Sequence, residues 1–175
     1  MKKLNISLNE KSFLEAARQI ERYQKELDRK NELFVQKLSD IGLKVVNSIM
    51  LSVPPINRGE YVAEIVEPVI TGDHVSGAAI RLSGDQILFI EFSAGITFGQ
   101  TSFPSLPDGT PYGEGMGVGT WPGQKHAEDP TGWWYYNKKW KHFQHTYGIR
   151  AEMPMYNADV EIVQSIGRIA KEVFG

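Results

Sequence analysis

Apolar residues in the first third of the chain recur at alternating steps of three and four. Phe13, Ala17, Ile20, Gln24, Leu27, Asn31, Phe34, Leu38, Ile41 and Val45 follow this spacing, which runs on to Ile49. Such a line is one face of a helix. Ser7 followed by Glu10 fits a capping box and places the helix start near residue 8. Pro54-Pro55 ends it, because proline disfavours helical geometry in the residue before it. The predicted helical segment is therefore 8–53, roughly 60 Å long if unbroken. Gln24 and Asn31 put amides where a core wants apolar groups. Either the helix bends or breaks near residues 28–31, or its first half packs on a neighbouring subunit; a free-standing coiled coil is a third reading.

The period then changes to two. Residues 61–69 and 75–82 are rich in β-branched side chains, with Gly72-Asp73 as a turn between them. Ser83-Gly84-Asp85 leads into residues 86–92, which read as a third strand with Leu88, Ile90 and Phe92 on one face and Glu91 on the other. Short turns make this an antiparallel meander. Residues 94–131 hold eight glycines and five prolines and read as a long irregular loop, which in a compact domain is functional or disordered. Residues 132–137 and 140–147, joined by Asn137-Lys138-Lys139, read as a hairpin. The last segment is helical, with Val160, Val163, Ile166, Ala170 and Val173 as its apolar face. The expected fold is α+β over one domain, 1–175: a long N-terminal helix, about five antiparallel strands and a C-terminal helix packed on the sheet.

Composition narrows the function classes. The chain has 175 residues, 41% apolar and 23% charged, enough to bury a core without covalent staples. Cysteine is absent, which excludes disulfides and thiolate metal sites and fits a reducing compartment. Net charge is −2, so no global basic field draws the protein to nucleic acid. Bases crowd the N-terminal helix with acids interleaved, and Lys138, Lys139 and Lys141 form a second small cluster. No apolar run reaches the ~20 residues of a membrane span. The basic start, MKKLNISLNEKS, lacks the apolar core of a signal peptide.

Candidate chemistry is thin. The run Gly113, Gly115, Gly117, Gly119 lacks both GxGxxG and a following GK[ST], so it reads as a loop rather than a phosphate cradle. His142 and His145 lie three apart on a predicted strand and face opposite sides, so they cannot chelate together; His126, Glu128 and Asp129 are near them in sequence only. Ser93-Ala94-Gly95 is not a nucleophile elbow, since GxSxG is absent. No carboxylates stand at a catalytic spacing. The expectation is no enzyme, no cofactor and no metal. What stands out is aromatic: all four tryptophans fall between Trp121 and Trp140, beside Tyr135, Tyr136, Phe143 and Tyr147. Both faces of strand 132–137 carry aromatics, so one can be buried and the other needs a partner. Trp121, Trp134, Tyr136 and Trp140 are the candidate assembly interface. A platform stacking on sugar rings or bases is the other use of such a hairpin.

Four segments in order carry a resemblance. A helix ends at Val53-Pro54-Pro55-Ile56-Asn57-Arg58-Gly59 and a strand comes next; Glu91-Phe92-Ser93-Ala94-Gly95 closes an apolar run; Gly132-Trp133-Trp134-Tyr135-Tyr136 pairs with Thr146-Tyr147-Gly148; Pro154-Met155-Tyr156-Asn157-Ala158 opens the last helix. Over roughly residues 40–175 this order resembles the neck and tail-completion (head–tail joining, minor tail component) proteins of long-tailed bacteriophages, in the form found in phages of Gram-positive hosts. Two segments depart from the family pattern: Arg58 stands where Thr is common, and Ser93-Ala94 where Gly-Thr is common. The resemblance implies a structural virion protein of the neck or tail, made in the host cytoplasm. It implies a homo-oligomeric, sixfold ring that contacts adjacent connector and tail proteins. DNA would be passing cargo only, with no membrane. The alternative is an aromatic-rich module binding carbohydrate or cell wall.

Overall fold

The computed structural model describes residues 10–71, 74–95, 129–138 and 140–175. Its elements run α1 (Glu10–Ser52), α2 (Pro55–Arg58), β1 (Tyr61–Thr71), β2 (His74–Gly84), α3 (Ile87–Phe92), β3 (Trp133–Asn137), β4 (His142–Thr146) and α4 (Pro154–Phe174). The fold is α+β, with a long first helix and a last helix as expected. Its described strands form two separate two-stranded antiparallel sheets, β1-β2 and β3-β4, in place of a five-stranded one.

Helix α1 is continuous for 43 residues. Of the readings open at 28–31, a break does not occur. Asn31 sits in the polar gap of the stripe because it has a job there: its Nδ2 donates to the Val75 carbonyl of β2. The helix stops where the prolines demand. Arg58 Nη1 then donates to the Met50 carbonyl at 3.0 Å, and its guanidinium lies over the Tyr61 ring, 5.5 Å from the centroid. Arg58 thus satisfies one of the carbonyls a helix end leaves without a partner.

Sheet β1-β2 keeps the period of two. Tyr61, Ala63 and Ile65, with Leu82 and Ile80 across the ladder, turn inward; Val62 and Glu64, with Ser83 and Arg81, turn outward. The connecting Gly72-Asp73 lies outside the described residues. Val46, Met50, Val53, Ile87, Ile90 and Ala158 form the core, with Ala63, Ile80 and Leu82 against it. Helix α4 packs chiefly on α1 rather than on the sheet. The closest approach is at Gly42, where a Cβ would lie 2.5 Å from Ile80 Cδ1 and 2.6 Å from Ile162 Cδ1. A side chain at that point would have to push aside the tips of both isoleucines.

Two faces differ from expectation. Residues 87–92 form a helix, not a third strand. Helical geometry puts Ile87, Ile90 and Glu91 on one side, all buried, and leaves Leu88 exposed and Phe92 half-buried. On α4 the buried line is Ala158, Ser165, Ile169 and Val173. Of the expected face only Val173 is buried; Val163 and Ile166 are exposed.

Candidate functional site

Glu91 is 4% exposed, and its carboxylate closes the N-terminus of α4. Oε2 accepts from Met155 N at 2.9 Å and Oε1 from Tyr156 N at 3.0 Å. Pro154 opens that helix, where a missing N–H costs nothing. The residue before it, Met153, is left-handed (φ 51°) and offers no side-chain cap. The helix therefore depends on a carboxylate from elsewhere in the fold, which also complements its dipole. The chain around Glu91 is bound to the same region. Glu152 N donates to the Ile90 carbonyl at 2.8 Å, Ala94 and Ile149 exchange two backbone bonds of 2.9 Å, and Ser93 Oγ donates to Ile149 O at 2.8 Å. Two segments of the sequence pattern, Glu-Phe-Ser-Ala-Gly and Pro-Met-Tyr-Asn-Ala, thus meet in one joint. Glu91 is its centre and is structural. Sequence reasoning missed it because a strand would have turned it away from Ile90; the signal present was the i, i+3, i+4 set Ile87, Ile90, Glu91.

That joint also anchors the hairpin. Gly95 (φ 75°) lies against Trp133, where a Cβ would come 2.9 Å from ring atom Cζ3. Trp133 is half-buried in consequence. The ladder pairs Trp134 with His145 and Tyr136 with Phe143, which puts these four on the opposite face from Trp133. Their rings interlock edge to face: Trp134–His145 at 5.1 Å, Tyr136–Phe143 at 5.3 Å and His145–Tyr147 at 4.7 Å. The face is nonetheless open, with Trp134 66%, Tyr136 50% and Phe143 64% exposed. Trp140 is not on the strand. It sits in the turn, its N–H donating to Asn137 Oδ1 at 3.1 Å, with its ring stacked on His142. Of the four candidate interface residues, the structure gathers Trp134 and Tyr136 on one face and puts Trp140 at the tip. Trp121 lies outside the described residues, as do His126, Glu128 and the glycine run.

His142 and His145 point to opposite faces of the hairpin, as their spacing requires. Asp129 is taken up by its own turn, accepting from Thr131 N and Oγ1 at 2.9 and 2.7 Å. Among the described residues no three His, Asp or Glu side chains are grouped to hold a metal ion. An open groove of about 390 Å³ runs between α1, β2 and α4, lined by Phe34, Leu38, Gly77, Ala78, Met155 and Ile162. Among the described residues Asp159 is its one ionisable wall residue, and the Ser39 hydroxyl there is already bonded to Val35 O at 2.9 Å.

No family model matches this chain. Searches of curated proteins and of solved structures likewise find no significant match. No described helix is long and apolar enough to cross a membrane.

Proposed function

We propose that this chain is a structural joint of a long-tailed phage virion, a ring-forming neck or tail-completion component that links the head connector to the tail. The observation that carries the reading is the open aromatic face of β3-β4: Trp134, Tyr136, Phe143, His145 and Tyr147 on a hairpin attached to the body at its base. A contiguous apolar patch of this kind marks an interaction surface, and Trp and Tyr are the residues that concentrate binding energy at interface centres. The sequence order that resembles the neck family supplies the biological setting. The union of its Glu91 and Pro154 segments gives that order a physical reason. Its work is binding, with connector and tail proteins as partners, DNA as cargo, and no cofactor.

The carbohydrate alternative is less favoured by the ring geometry. A sugar stacks on a flat ring face, whereas Trp134, Tyr136 and His145 engage neighbouring rings at interplanar angles of 66°, 68° and 76°. That ridged surface suits interdigitating side chains of a protein partner.

The test is an in vitro joining assay. Heads and tails from a phage lacking this gene are mixed with purified protein, and joined particles are counted by electron microscopy. Wild-type protein is expected to restore joining, and the Trp134→Ala/Tyr136→Ala variant to fold normally and fail. Joining that proceeds without the protein, or equally well with the double variant, refutes the proposal.

A further inference from the structure

Between Asp129 and Glu152 the chain carries no carboxylate side chain. Residues 130–151 hold Lys138, Lys139, Lys141 and Arg150, a formal charge of +4; the rest of the chain holds 15 bases against 21 acids, a net of −6. The β3-β4 hairpin is therefore a cationic finger on an acidic body. Its ladder closes where Asn137 faces His142, so Lys138, Trp140 and Lys141 fall in the turn at the tip. Lys139 lies outside the described residues. Lys138, Lys141 and Arg150 are exposed, and among the described residues none of them pairs with a carboxylate. Lys141 has φ 55°, a left-handed backbone that glycine or asparagine adopts more easily. A charge is kept there against the preference of the backbone.

We infer that this finger docks on an acidic surface of a different protein, its tip lysines meeting carboxylates while its aromatic face covers apolar ground beside them. This names the chemistry of the partner, and it rests on the proposed function for the claim that the aromatic face is an interface. Ring geometry favours protein over nucleic acid. Bases stack on open, flat ring faces, whereas Trp134 and Tyr136 engage their neighbours edge to face and Trp140 already stacks on His142 at 11°. The acidic body also opposes a long polyanion, while a local acidic patch need meet only the finger. A second copy is a poorer match, because Glu26, Glu64 and Glu172 of this chain already pair with Lys30, Arg81 and Lys37. The two parts of the finger divide the work. Exposed charges set the rate of encounter and its salt dependence, and desolvated aromatics set how long the complex lasts.

Lys138→Gln/Lys141→Asn removes both described tip charges, and asparagine suits the left-handed position, so the melting temperature is expected to hold or rise. Head–tail joining is followed in time at about 0.05 and 0.3 M salt. Wild type is expected to join several-fold faster at the lower salt, and the variant to join slowly at both. Separately, a synthetic peptide alternating Glu and Leu is titrated into isotope-labelled protein. It is expected to shift amides of residues 133–147 in wild type and not in the variant, and the Lys-Leu counterpart to shift none. A variant that joins as fast as wild type, with the same salt dependence, overturns the inference and leaves the joint reading standing. Peptide shifts on the hairpin of a protein dispensable for joining do the reverse. Absence of peptide shifts also overturns the inference. So does tighter binding to a short DNA strand or duplex or to phosphatidylserine vesicles than to the peptide, and so does self-association in light scattering that the variant loses.

Discussion

Replacing Glu91 with Gln preserves its size and removes its charge, and the cost can be worked from two hydrogen bonds. The carboxylate serves two partly buried backbone donors, Met155 N and Tyr156 N, at 2.9 and 3.0 Å. The amide oxygen can accept from one of them. The amide NH₂ then confronts the other, donor against donor. A buried N–H left without a partner costs about 1–3 kcal/mol, and loss of the anion at a partly buried helix N-terminus adds about 1 kcal/mol. The sum is about 3 kcal/mol, roughly 6–12 °C in melting temperature for a chain of this length. Glu91→Ala, losing both acceptors, is expected to cost more. The assay is urea unfolding monitored by circular dichroism, paired with amide exchange by NMR, in which Met155 and Tyr156 should lose protection first. A Glu91→Gln protein within ~0.5 kcal/mol of wild type, or unchanged exchange at those two amides, refutes the capping role.

Other expected outcomes test packing, charge and interface separately. Gly42→Val should destabilise by about 1–3 kcal/mol, since its side chain must displace Ile80 and Ile162; Gly167→Ala, with nothing within 4 Å of the added Cβ, should instead stabilise by up to about 1 kcal/mol. Both are read by the same urea titration. The Lys37 ammonium, through a hydrogen bond and then its charge, holds the exposed Glu172 carboxyl below its ordinary 4.5. Because the folded-state value is depressed, the stabilisation is present above 4.5 and lost as pH falls through the lowered value. Glu172→Gln should therefore differ slightly from wild type at neutral pH and merge with it in acid, and the difference should shrink in salt. Trp140→Ala should leave the melting temperature nearly unchanged, because the ring is 47% exposed in a turn, yet weaken joining if the hairpin tip touches the partner.

Much of this fold is legible in the sequence, and the gaps have physical causes. The stripe from Phe13 to Ile49 announces α1, the prolines mark its end, and the β-branched runs announce β1 and β2. The aromatic hairpin and Pro154 are equally plain. Residues 87–92 mislead because a short, mostly apolar run with two isoleucines fits either a strand or a buried helical turn; the tertiary need for Glu91 at the foot of α4 decides between them. The face of α4 misleads because the buried line includes the small residues Ala158 and Ser165, while larger Val163 and Ile166 stay outside. Asn31 looks like a fault in the stripe until its bond to Val75 is seen. The hairpin's aromatic content is visible from composition. That Trp133 turns inward over Gly95 while Trp134 turns outward needs the strand register.

The most decisive observation is the position of this chain in an assembled particle. If the proposed function holds, electron cryomicroscopy of purified virions whose genome carries this gene should show the α1–α4 pair repeated around a ring between portal and tail tube. The β3-β4 aromatic face should be pressed against a neighbouring protein. Virions that lack the chain, or a ring in which Trp134 and Tyr136 face open solvent, would overturn this placement.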